Sequence, residues 1–477
     1  MVTFILNNEK VTTELPNGYI LLDLLRKEFK LSGTKEGCRE GDCGSCMVLL
    51  GAMVDNKIKY SPVNSCLLPI GSIAGKHIVT IEGLNAEKLT LLQEAIVDKG
   101  ATQCGFCTPG MIVSLTGFLL NAKILNEDEA LDFIGGNICR CTGYASIIRA
   151  VRYICKTFSR SESKIIKTKI GLERIKLLNK WGVLQDYFLA IPERLNKIAK
   201  PAIRKISNKA IYVAGGTDVF VKNPEKLMDK NLDFLSERPA LQGVYIKDGR
   251  CCIGAATTIE ELKNSSIIQE MLPPLKDFMK LVSSSSIRFR ATLGGNIVNA
   301  SPIGDLTVIL LALDAELRLS GRKKNILLRD FFKGYKKLDK KTDEILTTVS
   351  FPVPRKEVLF NFEKISRRTH LDIASVNSAI MVEVSGDIIA KVHLSAGGVA
   401  PIPLYLKKTC AYLKGKKIKE EMIKKAVGVA DTEISPISDV RGSAKYKRLL
   451  LRNLIYAHFI TLFPQIKGEK TFIAFQL

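Results

Sequence analysis

The sequence lacks the features that direct a chain into or across a membrane. Its first residues, MVTFILNNEKV, contain no basic segment followed by the roughly 7–15 apolar residues of a signal peptide. Its longest apolar runs, such as MIVSLTGFLL, are far shorter than the roughly 20 residues that span a bilayer. These absences predict a cytoplasmic protein that makes no membrane contact. Disulfides are rare in that reducing compartment, so the 12 cysteines of the chain require another explanation.

Aromatic residues are also scarce, at 7% of the 477 residues. This scarcity matters because 71 Lys and Arg against 48 Asp and Glu give a net charge of +23, which by itself suggests nucleic-acid binding. Acids interrupt the lysines, however, as in KGKKIKEEMIKK, and no basic stripe is interleaved with aromatic residues. We therefore predict no nucleic-acid partner. The charge is interpreted as solvated surface or as a basic face for an acidic partner subunit.

Eight of the twelve cysteines fall into two groups of four, in a chain long enough for two or three domains. The first group combines C-x4-C-x2-C with a distant fourth cysteine: Cys38, Cys43, Cys46 and Cys66. The second group combines C-x2-C with C-x-C: Cys104, Cys107, Cys139 and Cys141. The four that remain are expected to be buried free thiols: Cys155, Cys251, Cys252 and Cys410.

The first group has the spacing of a plant-type [2Fe–2S] ferredoxin. Gly37, Gly41 and Gly44, within GCREGDCGSC, let backbone N–H groups face a negatively charged cluster. A strand-like MVTFILNNEKVTTE and a helical YILLDLLRKEF precede this loop, and a strand-like CMVLLGAMVDNKIKY follows it, as in a β-grasp fold. A zinc site, which favours short C-x2–4-C pairs, fits the loop poorly.

The second group leaves iron and zinc open when it is considered alone. In QCGFCTPGMIVSLTGFLL, Thr108 is predicted to cap a helix that starts at Pro109. A further helix is predicted to begin near Asn126 and to end at the next pair of glycines, and a third to follow NICRCTGY. Both thiol pairs then lie at helix N-termini, where the helix dipole stabilises thiolates.

The second half of the chain contains two glycine-rich turns, in AIYVAGGTDVFV and ATLGGNIVNASPIGDL, but no G-x-G-x-x-G fingerprint. Backbone amides at such turns can cradle a pyrophosphate because no side chain blocks its approach. On this feature alone, a tight turn between strands is the simpler interpretation.

Read together, GCREGDCGSC, QCGFCTPGM and CRCTGY resemble the iron–sulfur domain of the molybdenum hydroxylases, the family of xanthine dehydrogenase and aldehyde oxidase. VAGGTDVFV, IGAATTIEEL, ATLGGNIVNASPIGDL and EKISRRTHLDIASV resemble its FAD-binding domain, and AGGVAPIPLYLKKTCAYLKGK resembles the smaller domain that follows. The resemblance implies an α+β multidomain chain. Its parts are a β-grasp [2Fe–2S] ferredoxin domain (1–86), a helical [2Fe–2S] domain (87–158), a linker (159–180), an α/β FAD-binding domain (181–352) and a small C-terminal α+β domain of flavin-reductase type (353–465).

The resemblance also implies the cofactors and their contacts. The eight grouped cysteines are expected to hold two [2Fe–2S] clusters, and no residue of the chain is expected to be catalytic. The residues expected to contact FAD are Tyr212, Val213, Ala214, Gly215, Gly216, Thr217, Asp218 and Val219 at the pyrophosphate, Thr292, Gly295 and Asn296 beside it, Asp305 near the flavin, and more loosely Ile373 and Lys391. Phe289 departs from the family pattern, which often has Asn there.

The sequence has no room for a large molybdenum-cofactor domain, so the resemblance implies an electron-transfer subunit similar to the small subunit of bacterial xanthine dehydrogenases. Electrons from a molybdenum-bearing partner would cross two clusters to FAD and then NAD, during xanthine or hypoxanthine oxidation in purine catabolism. A heterotetramer of two small and two large chains is expected. Oxidation of an aldehyde or another heterocycle, and O2 as the acceptor, remain open. A zinc protein that binds nucleic acid is a remote alternative, because it leaves the glycine-rich second half unexplained.

Overall fold

The computed structural model describes residues 1–199, 210–355 and 357–466, so positions 200–209 of the expected FAD-binding domain lie outside the described residues. The chain forms two compact units. The first comprises Met1–Arg238 and Ser283–Ala291, and the second comprises Pro239–Val282 and the chain from Thr292 onward. No described helix is both long and apolar enough to cross a membrane.

The first unit begins with a mixed five-stranded sheet in the order β2-β1-β5-β3-β4. Only the β1–β5 pair is parallel. Asp55 and Asn56 turn the β3–β4 hairpin with φ of 49° and 58°, values that Asp and Asn tolerate better than most residues. A short helix, α1, continues into a π-helical turn, Leu24–Glu28. A helix at this place, before the cysteine loop, agrees with the predicted β-grasp order. The elements are β1 (Val2–Leu6), β2 (Glu9–Thr13), α1 (Leu21–Asp23), β3 (Met47–Val54), β4 (Lys57–Asn64) and β5 (His77–Val79).

Helices complete the cluster-binding half of the first unit. These are α2 (Ile81–Leu84), α3 (Leu91–Asp98), α4 (Thr108–Asn121), α5 (Glu127–Ile134), α6 (Ala145–Thr168), α7 (Leu172–Lys180) and α8 (Ile191–Asn196). Helix α5 begins next to Asn126 as predicted, and Asn126 caps it by accepting a hydrogen bond from the N–H of Glu129. The prediction for α4 was wrong by one position, since Cys107 is its N-cap and Thr108 is its first residue.

The segment expected to be a linker, 159–180, is mostly helical in the structure. Helix α6 continues through it to Thr168, and α7 follows after a short turn. Arg174 of α7 is buried and donates hydrogen bonds to the carbonyls of Leu119 and Ala122, at the end of α4. It thereby satisfies carbonyl groups that a helix C-terminus leaves without partners. Helix α7 therefore packs against the end of α4.

A parallel pair, β6 (Ile211–Val213) and β7 (Leu232–Phe234), follows, with α9 (Val219–Lys222) and α10 (Pro224–Leu227) between its strands.

The second unit contains two larger antiparallel sheets, in the orders β11-β10-β14-β9-β8 and β15-β16-β17-β18. Its strands are β8 (Val244–Lys247), β9 (Arg250–Gly254), β10 (Glu316–Leu319), β11 (Ile326–Leu327), β12 (Phe332–Gly334), β13 (Lys337–Leu338), β14 (Leu346–Pro352), β15 (Leu359–Ile365), β16 (Val376–Ser385), β17 (Ile388–Gly397) and β18 (Leu404–Tyr405). Its helices are α11 (Ile259–Asn264), α12 (Ser266–Met271), α13 (Leu275–Lys280), α15 (Leu293–Val298), α16 (Asp305–Ala312), α17 (Leu328–Phe331), α18 (Lys407–Leu413), α19 (Glu420–Glu433) and α20 (Ala444–Leu462).

Helices α18, α19 and α20 share one apolar core with the β15–β18 sheet, which includes Val392, Leu394, Ile423 and Ile455. Helix α16, with the sequence DLTVILLA, is apolar on every side and correspondingly buried after its first residue.

The segment Ser283–Ala291 belongs to the first unit although residues on both sides of it belong to the second. It contains the short helix α14 (Ser285–Arg288). Arg288 is fully buried and donates to both carboxylate oxygens of Asp132 in α5, at 2.7 and 2.6 Å. Phe289 packs its ring 5.9 Å from that of Phe133. Charge pairing and aromatic packing thus join this late segment to the helical cluster domain.

Candidate cofactor sites

The first cysteine group lies in one loop and one turn of the first unit. Cys38, Cys43 and Cys46 precede β3, and Cys66 follows β4. The Sγ atoms of Cys46 and Cys66 are 3.4 Å apart and buried. Gly41 and Gly44 have φ of 80° and 67°, which glycine adopts without strain.

Backbone N–H groups converge on this loop as expected for a cluster site. The Sγ of Cys38 accepts hydrogen bonds from the N–H groups of Glu40, Asp42 and Cys43 at 3.3 to 3.4 Å. The hydroxyl of Ser45 lies 3.1 Å from the Sγ of Cys43. Such donors stabilise the negative charge of thiolates and of the sulfides between two irons.

In each hydrogen-bonded pair of thiols, the pKa of one cysteine is lowered and that of the other is raised. The bond with Cys38 lowers the pKa of Cys43 to about 5 and raises that of Cys38. The bond with Cys66 likewise lowers the pKa of Cys46 and raises that of Cys66. Cys43 and Cys46 are therefore the thiols most ready to ionise, and cysteine binds metals as the thiolate.

The second cysteine group surrounds the N-terminus of α4 and the turn before α6. The Sγ atoms of Cys104 and Cys141 are 3.5 Å apart and exposed, whereas Cys107 and Cys139 are buried. Burial raises the pKa of Cys107 to about 12. Burial also acts to raise the pKa of Cys139, but hydrogen bonds, chiefly from Thr142, outweigh it and leave that pKa lowered. This group thus has a buried side and a solvent-facing side.

The two cysteine groups are joined by direct contacts between their loops. The N–H of Ile138 donates to the carbonyl of Cys43 at 3.0 Å, and Ile138 directly precedes Cys139. The side-chain amide of Asn137 donates to the carbonyl of Gly44 at 3.0 Å. Gly110 of α4 lies against that carbonyl so closely that a Cβ atom there would be 2.1 Å from it. Only glycine allows the loops to approach this closely.

Both groups fit a two-iron cluster. Each consists of two pairs of thiols, and a [2Fe–2S] cluster needs four thiolates, two for each iron. Of the cysteines outside the groups, Cys155, Cys251 and Cys410 are buried as predicted, whereas Cys252 is partly exposed.

The first glycine-rich turn connects β6 to α9 in the first unit, at Ala214–Thr217. Gly216 has a φ of 80°, and a Cβ on Gly215 would lie 2.1 Å from the carbonyl of Arg290. Asp218 is the N-cap of α9 and pairs with Lys222 at 2.6 Å. The turn thus has the glycine-dependent backbone that a pyrophosphate cradle needs.

Arg290 is a residue that sequence reasoning missed beside this turn. Its Nε and Nη2 atoms are buried, and no hydrogen-bond partner for them exists among the described residues. Burial lowers the pKa of this guanidinium group. Buried donors without acceptors are costly, so they fit a bound anion such as a pyrophosphate. The signal available in the sequence, an arginine shortly before LGGN, was too common to single out.

The second glycine-rich turn begins α15 in the second unit. Thr292 caps this helix by accepting from the N–H of Gly295 at 3.1 Å. The hydroxyl of Thr307 donates to the side-chain oxygen of Asn296 at 3.1 Å. A Cβ on Gly294 would be 2.9 Å from the carbonyl oxygen of Ala255, so a glycine is needed here for the close packing against Ala255.

The three remaining predicted FAD residues also lie in the second unit, in different settings. Asp305 begins α16 as a carboxylate that accepts hydrogen bonds from Lys364, at 2.7 Å, and from Asn377. Burial raises its pKa despite these partners. Ile373 has 54% of its surface exposed. Lys391 lies on β17 and lines a cavity with other cations. Their assignment to FAD stays a prediction.

Four protein-family models match the chain in succession. They describe a 2Fe-2S iron-sulfur cluster binding domain (4–70), a [2Fe-2S] binding domain (80–152), an FAD binding domain in molybdopterin dehydrogenase (184–354) and a CO dehydrogenase flavoprotein C-terminal domain (361–462).

Curated relatives match over nearly the whole chain. Xanthine dehydrogenase 1 of Arabidopsis thaliana is 30% identical over 96% of this chain and 40% of its own length. Aldehyde oxidase 1 of Bos taurus is 29% identical over 98% of this chain and 39% of its own. The chain therefore spans about two fifths of the length of these relatives.

Solved structures match part of the chain. A chain of reconstituted CO dehydrogenase from Oligotropha carboxidovorans has a TM-score of 0.50 and 26% identity, over 54% of this chain and 90% of its own. A chain of quinoline 2-oxidoreductase from Pseudomonas putida shares the fold. It has a TM-score of 0.50 and 22% identity, over 55% of this chain and 92% of its own.

Proposed function

Because the chain belongs to the molybdenum hydroxylase family, whose two [2Fe–2S] domains and FAD-binding domain it carries, we propose that it moves electrons between a molybdenum centre and a soluble acceptor. When bound, the clusters pass single electrons, and FAD exchanges two electrons with the acceptor. The chain's own residues hold these groups in order.

The observation that supports this proposal most directly is the contact between the two cysteine groups. The carbonyl of Cys43 accepts the N–H of Ile138, the neighbour of Cys139. A proposed ligand of one cluster and a proposed ligand of the other are thus connected through one hydrogen bond and short covalent segments. Gly44 and Gly110 make this contact possible, since a side chain at either position would separate the loops.

The exposed and the buried cysteines have different roles. The exposed pair, Cys104 and Cys141, faces solvent, where an electron donor on another chain has access. The buried pair, Cys46 and Cys66, lies within apolar surroundings that exclude water. We infer that electrons enter at the exposed edge of the helical domain and move toward the ferredoxin domain.

The finer proposal concerns substrate, acceptor and partner. We infer that a large chain with a molybdenum cofactor supplies the electrons, in a heterotetramer of two chains of each kind. We propose xanthine or hypoxanthine as the substrate and NAD as the acceptor, supported by the 30% identity to a xanthine dehydrogenase. An aldehyde substrate is the second candidate, favoured by the 29% identity to an aldehyde oxidase.

The purified chain tests the flavin part of this proposal. We expect it to oxidise NADH with an artificial electron acceptor, and not to hydroxylate xanthine. Asp218→Ala is expected to lower FAD content and NADH oxidation together, because it breaks the ion pair with Lys222 at the end of the glycine-rich turn. Asp387→Ala is the matched control, since it removes another exposed aspartate that pairs with a lysine, in the β16–β17 hairpin.

Adding the molybdenum-bearing chain should restore hydroxylation coupled to NAD reduction, and the two chains should elute as one complex. Electron transfer to O2 without NADH oxidation would change only the acceptor. A preference for aldehydes over xanthine in the complex would select the second candidate. Hydroxylation by the isolated chain, or zinc in place of iron, would overturn the proposal.

A further inference from the structure

The second unit contains a cavity of about 490 Å³ at the edge of the β15–β18 sheet, within the range of small-molecule sites. The cavity is lined by Arg329 of α17, Lys391 and His393 of β17, and Tyr405 of β18. Lys407, at the start of α18, and Lys414, just after its end, complete the lining. Among its ionisable lining groups, Asp330 is the single carboxylate and four are cations. This lining favours an anion.

His393 supplies a buried ring nitrogen that has no hydrogen-bond partner among the described residues. It is 6% exposed, and its Nδ1 lies 2.9 Å from the hydroxyl of Tyr405. Its Nε2 has no hydrogen-bond partner among the described residues, and the nearest carboxylate oxygen, on Asp314, is 4.0 Å away. In the tautomer that places the ring proton on Nε2, toward that carboxylate, Nδ1 accepts a hydrogen bond from the Tyr405 hydroxyl. A buried N–H without an acceptor is costly, which indicates that a ligand supplies one.

Arg329 is held in a fixed position at the same cavity. Its guanidinium lies over the ring of Tyr405, 4.9 Å from the centroid, and 3.3 Å from the carboxylate of Asp314. A fixed guanidinium presents paired donors that match the oxygens of a phosphate.

The lysines of the cavity are available for a ligand. Lys391 lies opposite Glu383 in the sheet, but no ion pair of Lys391, Lys407 or Lys414 occurs within the described residues. Unpaired cations near one another are held there at an electrostatic cost, which a bound anion would reverse.

The cavity is separate from the end of α16 at which Asp305 was expected to contact the flavin. His393 is beside Asp314, which follows the C-terminal end of α16, whereas Asp305 begins that helix. Helix α16 has eight residues at about 1.5 Å each, so its two ends are about 12 Å apart.

We propose that this cavity is a binding site for a small phosphate-bearing molecule of about nucleotide size, held by Arg329, Lys391, Lys407 and the Nε2 of His393. The site is distinct from the FAD site, and the proposal does not depend on the electron-transfer role. Lys391, which the family resemblance assigns to FAD, belongs to this second site.

Calorimetric titration of the purified holoprotein with pyrophosphate and with 5′-AMP tests the proposal, and adenosine is the phosphate-free control. We expect both phosphates to bind and adenosine not to bind. Lys391→Gln and Lys407→Gln should each weaken phosphate binding about tenfold, because each removes a charged donor. Lys425→Gln, which removes an exposed lysine from α19 outside the cavity, should leave it unchanged.

FAD content measured in the same samples distinguishes the two sites. We expect Lys391→Gln to retain a full complement of FAD. Loss of FAD from this variant with unchanged phosphate affinity would overturn the proposal and return Lys391 to the flavin site. Absence of phosphate binding, equal binding of adenosine, or equal weakening by Lys425→Gln would also overturn it.

Discussion

Replacement of Gly110 by alanine tests how tightly the two cysteine groups are held together. The added Cβ would lie 2.1 Å from the carbonyl oxygen of Gly44, whereas ordinary contact begins at 3.4 Å, so the loops must separate by about 1.3 Å. Overpacking of this kind costs about 1–3 kcal/mol, and the higher helix propensity of alanine returns at most about 1 kcal/mol. We expect a net loss of about 1–2 kcal/mol in the first unit.

Thermal unfolding followed by the visible circular dichroism of the clusters measures this loss. A domain of this size changes its Tm by roughly 2–4 °C per kcal/mol, so we expect Tm to fall by roughly 2–8 °C. Gly428→Ala is the matched control, because Gly428 lies inside α19 with nothing within 4 Å of the added Cβ. That variant should be as stable as the parent or more stable by up to about 1 kcal/mol. An unchanged or higher Tm for Gly110→Ala would refute the proposed close contact.

Four further measurements test the rest of the structure. The purified protein should contain about four iron atoms, four acid-labile sulfides and one FAD per chain, as two [2Fe–2S] sites and one flavin site require; two irons would remove one cysteine group from the assignment. Cys43→Ser should abolish the electron paramagnetic resonance signal of one cluster and Cys139→Ser that of the other, while replacement of a cysteine outside the groups should abolish neither. Burial lowers the pKa of His458 from 6.5 to about 3, so the unfolded state binds a proton at this histidine first as the pH falls. The free energy of unfolding should therefore decline below pH 6.5, by up to about 1.4 kcal/mol per pH unit. His458→Leu should remove this part of the decline. Asp132→Ala should destabilise the first unit by about 3–5 kcal/mol, because it removes the carboxylate that pairs with the buried guanidinium of Arg288. Glu127→Ala, which breaks an exposed pair, should cost at most about 1 kcal/mol, and equal costs would contradict this account.

The sequence allowed prediction of features that depend on neighbouring residues. Strand alternation and helix caps act over a few positions, so the β-grasp order and the start of α5 at Asn126 were predicted correctly. The cysteine spacing within each loop is local in the same way. The error of one position at α4 arose because Cys107, which sequence patterns do not favour as an N-cap, occupies that position.

Contacts between distant positions were not predictable from a single sequence. Asn137 bonds the carbonyl of Gly44 across 93 positions, and Arg288 pairs with Asp132 across 156. Neither pair produces a periodicity or a motif. The packing of Arg174 against the end of α4 was missed for the same reason, since its charged, cysteine-free surroundings were typical of a linker. Lys391 illustrates the converse, because family resemblance supplied an assignment that its surroundings do not by themselves suggest.

The late segment Ser283–Ala291 determines when the N-terminal half can mature during synthesis. Until the ribosome has released this segment, the carboxylate of Asp132 has no Arg288 to bind, and Phe133 lacks the ring of Phe289. A nascent chain of 238 residues would contain all eight grouped cysteines but an incomplete hydrophobic interior, a state in which partly folded chains aggregate. Gene fragments that end before residue 291 should therefore give insoluble product, and iron delivery to the helical domain would have to wait until translation has passed that point.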